Sequence, residues 1–186
     1  METETMTGDV LRILSVYDGT GIASRDRLED APAEFHPRNI MPEFQSIVVL
    51  ARDPGNALGE NGAGRFHQML SMIAAQDEVM KYLGRRGYKA KLIGSRANNL
   101  NLPRVGERAG VGTLSPVHTL AVKGHGLRTV LSAIITDAKL EQSPPVTDAC
   151  AKPEICLRRC PALDAGGVFD RKKYTSCGTC VRKCEA

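Results

Sequence analysis

The chain has 186 residues, 42% of them hydrophobic and 25% charged, which suits one ordinary core with a small appended module and excludes a disordered or collagen-like protein. Four Phe, four Tyr and no Trp leave that core to Leu, Ile, Val, Ala and Met. The net charge of +4 is too small to mark a nucleic-acid binder, and the eight Lys or Arg against four Asp or Glu between Cys150 and Ala186 hold the whole of that excess.

Residues 1–9 carry Glu2 and Glu4 and no apolar run, so no secretory or transit signal is expected. The longest apolar stretches, 46–51 and 129–135, fall far short of the roughly 20 residues that span a bilayer, and a cytoplasmic protein without membrane contact is expected. Val10, Leu11, Ile13 and Leu14 predict a short amphipathic helix that stops near Asp18 and Gly19, followed by a brief strand over 20–23. Pro32, Pro37 and Pro42 keep 31–43 irregular, and the apolar run 46–51 reads as a buried strand. A glycine- and asparagine-rich loop at 55–64 lacks the Lys and Ser or Thr of a phosphate loop.

From Arg65 to Leu83 the residues Phe66, Met69, Leu70, Ile73, Val79, Met80 and Leu83 keep a three-to-four spacing, the strongest helix signal in the chain, and its methionines read as core. Residues 88–93 alternate as a strand, and 100–109 predict a short helix before the Gly110-Val-Gly112 turn. Two further strands, 118–122 and 127–136, are expected to form a hairpin through Lys123-Gly-His-Gly126. Strands and helices alternating in this order predict an α/β sheet with helices packed over it. The stiff Gln142-Ser-Pro-Pro145 segment divides the chain into a sheet domain at 1–144 and a cysteine-bearing module at 145–186.

Clustered cysteines in a reducing compartment point to metal ligands or catalytic thiols before disulfides. Cys150, Cys156 and Cys160 form C-x5-C-x3-C-P, and Cys177, Cys180 and Cys184 form C-x2-C-x3-C. Both halves are spaced like iron–sulfur ligands: bacterial ferredoxins use C-x2-C-x2-C-x3-C-P, whose last cysteine reaches a second cluster. Over the first half that pattern matches Cys150, Cys156, Cys160 and Pro161, with Pro153 in the second ligand position. If the chain crosses over as in two-cluster ferredoxins, one site collects Cys150, Cys156 and Cys184 and the other Cys160, Cys177 and Cys180. Three thiolates suit a 3Fe-4S cluster, or a 4Fe-4S cluster with one iron open to another ligand; alternatively a single four-cysteine cluster forms. Two knuckles about twenty residues apart also describe a zinc ribbon, although six cysteines, the x3 spacings and the Cys160-Pro161 pair count against it.

The order of Arg108-Ala-Gly-Val-Gly112, Ala133-Ile-Ile-Thr-Asp137, Leu140-Glu141, Pro144-Pro145 and the first cysteine motif resembles that of the epoxyqueuosine reductase-like iron–sulfur proteins, relatives of the reductive dehalogenases. Gly21-Ile-Ala23 and the 46–50 run are similar to that family's opening, and Phe169-Asp-Arg-Lys-Lys-Tyr174 to a segment that carries a cysteine where this chain has Tyr174. The resemblance implies a nitroreductase-like α/β domain followed by a small ferredoxin-like iron–sulfur module, in a group whose best-known members pass electrons from two 4Fe-4S clusters to cobalamin. Residues 94–99, where epoxyqueuosine reductases carry a proposed acidic proton donor, contain Arg96 and no carboxylate, so tRNA queuosine chemistry is not expected.

Gly110 and Gly112 are candidates for close backbone approach to a cofactor, and His118 and His125, flanking the predicted hairpin, for approach from the sheet edge. The function expected is a redox protein whose cysteine module relays electrons to a cofactor, a corrinoid among the candidates, or to a substrate in the sheet domain. A redox partner protein, or a corrinoid or corrinoid protein, would be its partner, with no role for nucleic acid. The alternatives are an electron carrier or adaptor for another enzyme and a zinc-stabilised interaction module.

Overall fold

The computed structural model describes residues 2–53, 63–95, 99–147, 149, 150, 153–163, 168 and 184. A four-stranded sheet runs in the order β1 (Gly19–Ser24), β2 (Ser46–Arg52), β6 (Val130–Thr136) and β3 (Ala90–Ile93), with every neighbouring pair antiparallel. The architecture is therefore mixed, with the sheet itself wholly antiparallel. β2 and β6 lie at its centre because their sequences, Ser-Ile-Val-Val-Leu-Ala-Arg and Val-Leu-Ser-Ala-Ile-Ile-Thr, are apolar at consecutive positions and demand cover on both faces.

That cover comes from two layers. One face, through Ile22, Val48, Leu50 and Ile134, meets Val10 and Leu14 from the helix α1 (Glu2–Ile13) and the turn after it, and Val79 and Leu83 from α2 (Ala63–Arg85). The other, through Ile47, Val49, Ala133 and Ile135, meets Phe44, Leu102, Val105 and Leu120. Leu102 and Val105 belong to α3 (Leu102–Arg108), whose N-cap Asn101 accepts a hydrogen bond on its side chain from the backbone N–H of Arg104. Each fully buried Val, Leu, Ile or Phe contributes roughly 1.5–3 kcal/mol relative to exposure, so the two layers hold the sheet from both sides.

α1 begins well before the predicted start. Met6 is buried, the Thr7 hydroxyl accepts from the backbone N–H of Glu141, and the Tyr82 hydroxyl donates to Asp9 at 2.6 Å, so long-range partners hold two turns whose local sequence is polar.

The predicted hairpin between 118–122 and 127–136 does not form. β5 (Leu120–Ala121) pairs instead with β4 (Thr113–Leu114), and the turn that follows makes a single bridge, Val122 to Gly126. Gly124 and Gly126 both hold positive φ, closing a loop too tight to carry a longer ladder. The chain then runs to β6, drawn into the centre of the main sheet where both its faces are buried.

Candidate functional site

After β6 the chain runs as an extended strap over the sheet domain and delivers the first cysteine. The backbone N–H of Leu140 donates to the Ser46 hydroxyl, and that of Ser143 donates to the Ile22 carbonyl while the Ser143 hydroxyl accepts from the Ile22 N–H, each at 2.9–3.0 Å. Arg27 clamps the same place, its guanidinium donating to the carbonyls of Arg108 at 2.9 Å and Ser143 at 2.8 Å. Farther on, the Thr113 hydroxyl meets the carbonyls of Val146 and Thr147. The strap crosses Gly110, which adopts φ +72°, and a Cβ there would stand 2.0 Å from the Pro144 carbonyl oxygen. A Cβ on Gly112 would meet the Ala121 carbonyl oxygen at 2.0 Å. The close approach that these two glycines allow is to the protein's own backbone.

The strap ends in an apolar cluster. Ala149 and Cys156 are buried there against Val117, Ala121 and Leu127, and Cys150, Cys160 and Cys184 pack against the same group. Cys156 lies on the short helix α4 (Pro153–Arg159), which begins at Pro153. Proline is favoured at the first helical position because its missing N–H and fixed φ cost nothing there, so the residue in the second ferredoxin ligand position opens a helix. The backbone N–H of Cys160 donates to the Cys156 carbonyl at 3.0 Å, continuing the helical spacing and setting the two thiols one turn apart.

None of these four cysteines is in a disulfide. Among the described residues no three His, Cys, Asp or Glu side chains converge on a point that would hold one metal ion. Tyr174, Cys177 and Cys180 lie outside the described residues.

The turn between β4 and β5 joins this cluster to a cavity. Backbone hydrogen bonds from Ser115 to Thr119 and from His118 to Ser115, both 2.9 Å, close it, with His118 at φ +56°. Val117 points into the cysteine cluster, while His118, the next residue, lines a cavity of about 310 Å³. Arg104, Val105 and Arg108 of α3 form a second wall, and Leu28, Pro32 and Phe35 from the irregular segment after β1 form the third. Arg108 is paired with Asp30 at 2.5 Å.

His125 lies elsewhere. Its Nδ1 is 3.2 Å from Oδ2 of Asp53, a carboxylate only 13% exposed that also receives Arg128 at 3.4 Å. The predicted site residues thus separate: His118 lines the cavity beside the cysteine cluster, His125 belongs to an ion-pair group with Asp53, and Gly110 and Gly112 seat the strap and β5. The cavity's charged residues, Asp30, Arg104 and Arg108, carry no local motif and become neighbours only through the fold.

With antiparallel strands in the order β1-β2-β6-β3 and helices on both faces, the chain shares the fold of epoxyqueuosine reductases and reductive dehalogenases. The epoxyqueuosine reductase of Streptococcus thermophilus superposes with a TM-score of 0.66 over 97% of this chain and 55% of its own, at 15% identity. An epoxyqueuosine reductase bound to an epoxyqueuosine-modified stem loop of tRNA-Tyr gives 0.66 over 91% of this chain and 56% of its own, at 17% identity. A reductive dehalogenase whose structure suggests a mechanism for B12-dependent dehalogenation gives 0.53 over 78% and 23%, at 20% identity. The chain spans little more than half the length of those epoxyqueuosine reductases. No protein-family profile matches it, and no curated protein does. Among the described residues no helix is long and apolar enough to cross a membrane.

Proposed function

We propose that this chain is an iron–sulfur redox protein whose cysteine segment exchanges single electrons with an acceptor held by the sheet domain. The observation that carries the reading is the convergence of Cys150, Cys156, Cys160 and Cys184 on one apolar cluster with Val117, one residue from the cavity-lining His118. Together with Cys177 and Cys180 these thiolates would hold one or two clusters of 4Fe-4S or 3Fe-4S type, which supply one-electron chemistry at a potential set by burial and hydrogen bonding. Apolar neighbours bury Cys156, while Cys150, Cys160 and Cys184 stay partly exposed, and the adjacent residues Val117 and His118 connect the surroundings of the thiols to the cavity.

Its acceptor is a small molecule or a corrinoid, the latter suggested by the likeness to a dehalogenase described as B12-dependent. The 310 Å³ cavity lies at the bottom of the range of about 300–1,000 Å³ for small-molecule sites, so a corrinoid would be seated outside it. The basic surplus of the cysteine segment favours an acidic redox partner protein. Queuosine chemistry is not part of the proposal, because residues 94–99 offer no carboxylate as proton donor. An epoxyqueuosine-bearing stem loop is expected to remain unchanged with the reduced protein.

Iron and acid-labile sulfide measured on anaerobically purified protein, with electron paramagnetic resonance spectra of oxidised and reduced forms, test the reading. About eight irons, or six to seven with the signal of an oxidised 3Fe cluster, mean two sites, and about four mean one. Zinc without sulfide would replace the redox function with a structural metal site.

A further inference from the structure

We infer that the Ser115 hydroxyl donates a hydrogen bond to a sulfur of the iron–sulfur cluster and thereby raises its reduction potential, an inference that rests on the redox reading above. Ser115 is 4% exposed, and its Oγ is buried with no hydrogen-bond partner among the described residues. A buried hydroxyl left unpaired is destabilising, and nearly all such groups in folded proteins find a partner, so Ser115 marks a place where an acceptor belongs.

Strand register fixes the side on which it lies. Thr113 pairs with Ala121 and Leu114 with Leu120, and the Ser115 N–H donates to the Thr119 carbonyl at 2.9 Å, which carries the pairing one residue further. Side chains alternate along a strand and directly opposed residues share a face, so Thr113, Ser115, Thr119 and Ala121 lie on one side and Leu114 and Leu120 on the other. Leu120 packs in the core of the main sheet and Leu114 lines the cavity. On the opposite side the Thr113 hydroxyl meets the strap at Val146 and Thr147, and Ala121 packs in the cluster that buries Ala149 and Cys156. Val117, two residues beyond Ser115, joins the same cluster. Ser115 therefore stands on the face of the β4–β5 pair that turns toward the cysteines. That cluster offers the hydroxyl apolar carbons and cysteine sulfurs, and a thiol sulfur is only a weak acceptor until it is a thiolate on iron. Reduction adds negative charge to the cluster and its sulfurs, so a donor to one of them favours the reduced form. A water molecule as the partner instead would leave the potential unmoved.

The test is a redox titration of the full chain, Ser115→Ala and Ser115→Thr, each purified without oxygen and followed by visible absorbance and electron paramagnetic resonance. Ser115→Ala should keep the iron and sulfide content of the parent chain and shift its one-electron equilibrium at least tenfold toward the oxidised form, a fall of about 59 mV in midpoint potential. Ser115→Thr, which keeps the hydroxyl, should recover at least half of that shift. An unmoved potential in Ser115→Ala, an equal shift in both variants, or loss of iron from Ser115→Ala alone, which would make the residue structural, would each overturn the inference. Iron and sulfide are measured first: their absence from the parent chain ends the redox reading and this inference with it, whereas a full cluster with an unmoved potential ends the inference alone.

Discussion

Replacing Gly110 by Ala separates the strap's attachment from the ordinary cost of a left-handed residue. At φ +72° an Ala costs about 1–2 kcal/mol for its backbone alone. The new Cβ would also sit 2.0 Å from the Pro144 carbonyl oxygen, a backbone atom that cannot swing aside, so the strap must lift. Lifting it disturbs the two hydrogen bonds between Ser143 and Ile22 and the Arg27 bond to the Ser143 carbonyl, each contributing roughly 0.5–1.5 kcal/mol net. The expected loss is about 3–5 kcal/mol, or a fall in melting temperature of roughly 6–20 °C for a chain of this size. Gly124→Ala is the control, because Gly124 has φ +78° with nothing within 4 Å of a built Cβ, and should lose only about 1–2 kcal/mol. Thermal unfolding followed by circular dichroism at one scan rate compares the two. Equal losses would refute the account of Gly110 as the seat of the strap.

Arg27→Ala removes the Nη1 group whose two hydrogen bonds tie the C-terminal end of α3 to the strap and should destabilise the fold by about 2–3 kcal/mol in chemical denaturation, with Arg27→Lys recovering only part of it because the flexible ammonium lacks the planar guanidinium that sets these two N–H bonds in place. Burial pushes the Tyr17 hydroxyl, which donates to the Met72 carbonyl, up to about 12. Its folded value is raised, so the stability it lends is complete below pH about 10 and is lost as pH rises toward 12; phenolate absorbance should show a late transition that Tyr17→Phe removes. Cys177→Ser and Cys180→Ser should each lower iron per chain and bleach the visible absorbance of anaerobic protein, and retention of full cluster absorbance by both would remove these cysteines from the ligand set.

The elements that could be read from the sequence are those whose signal is local. β2 and β6 announce themselves as continuous apolar runs, and α2 through the three-to-four spacing that ends at Leu83. The hairpin failed because strand type is local while pairing is not: residues 120–121 and 130–136 are both strands, but the burial demanded on both faces of Ile134 and Ile135 outweighs the nearness of β5. The first turns of α1 were hidden because Thr7 and Asp9 look like solvent-facing residues until Glu141 and Tyr82 are placed beside them. Cysteine spacing pointed to ligands, yet the cavity stayed invisible, since its walls come from residues near 30, 104 and 118 that no periodicity connects.

The cysteine segment illustrates why attachment matters to a redox reading. Fewer than about forty residues cannot enclose enough apolar surface for an independent core, and a metal or a neighbouring surface must supply the rest. Here Val117, Ala121 and Leu127, all from earlier in the chain, complete the cluster in which Cys156 is buried. The same turn then carries His118 to the cavity, so the packing that buries Cys156 also sets how the cysteine cluster lies beside the cavity. A strap free to lift would change both at once: the cysteines would gain water, and the path to the cavity would lengthen. Under the proposed redox function Gly110, Arg27 and Ser143 would be positioning residues for electron transfer, and the Gly110→Ala chain should reduce an acceptor more slowly than Gly124→Ala even at a temperature where both remain folded.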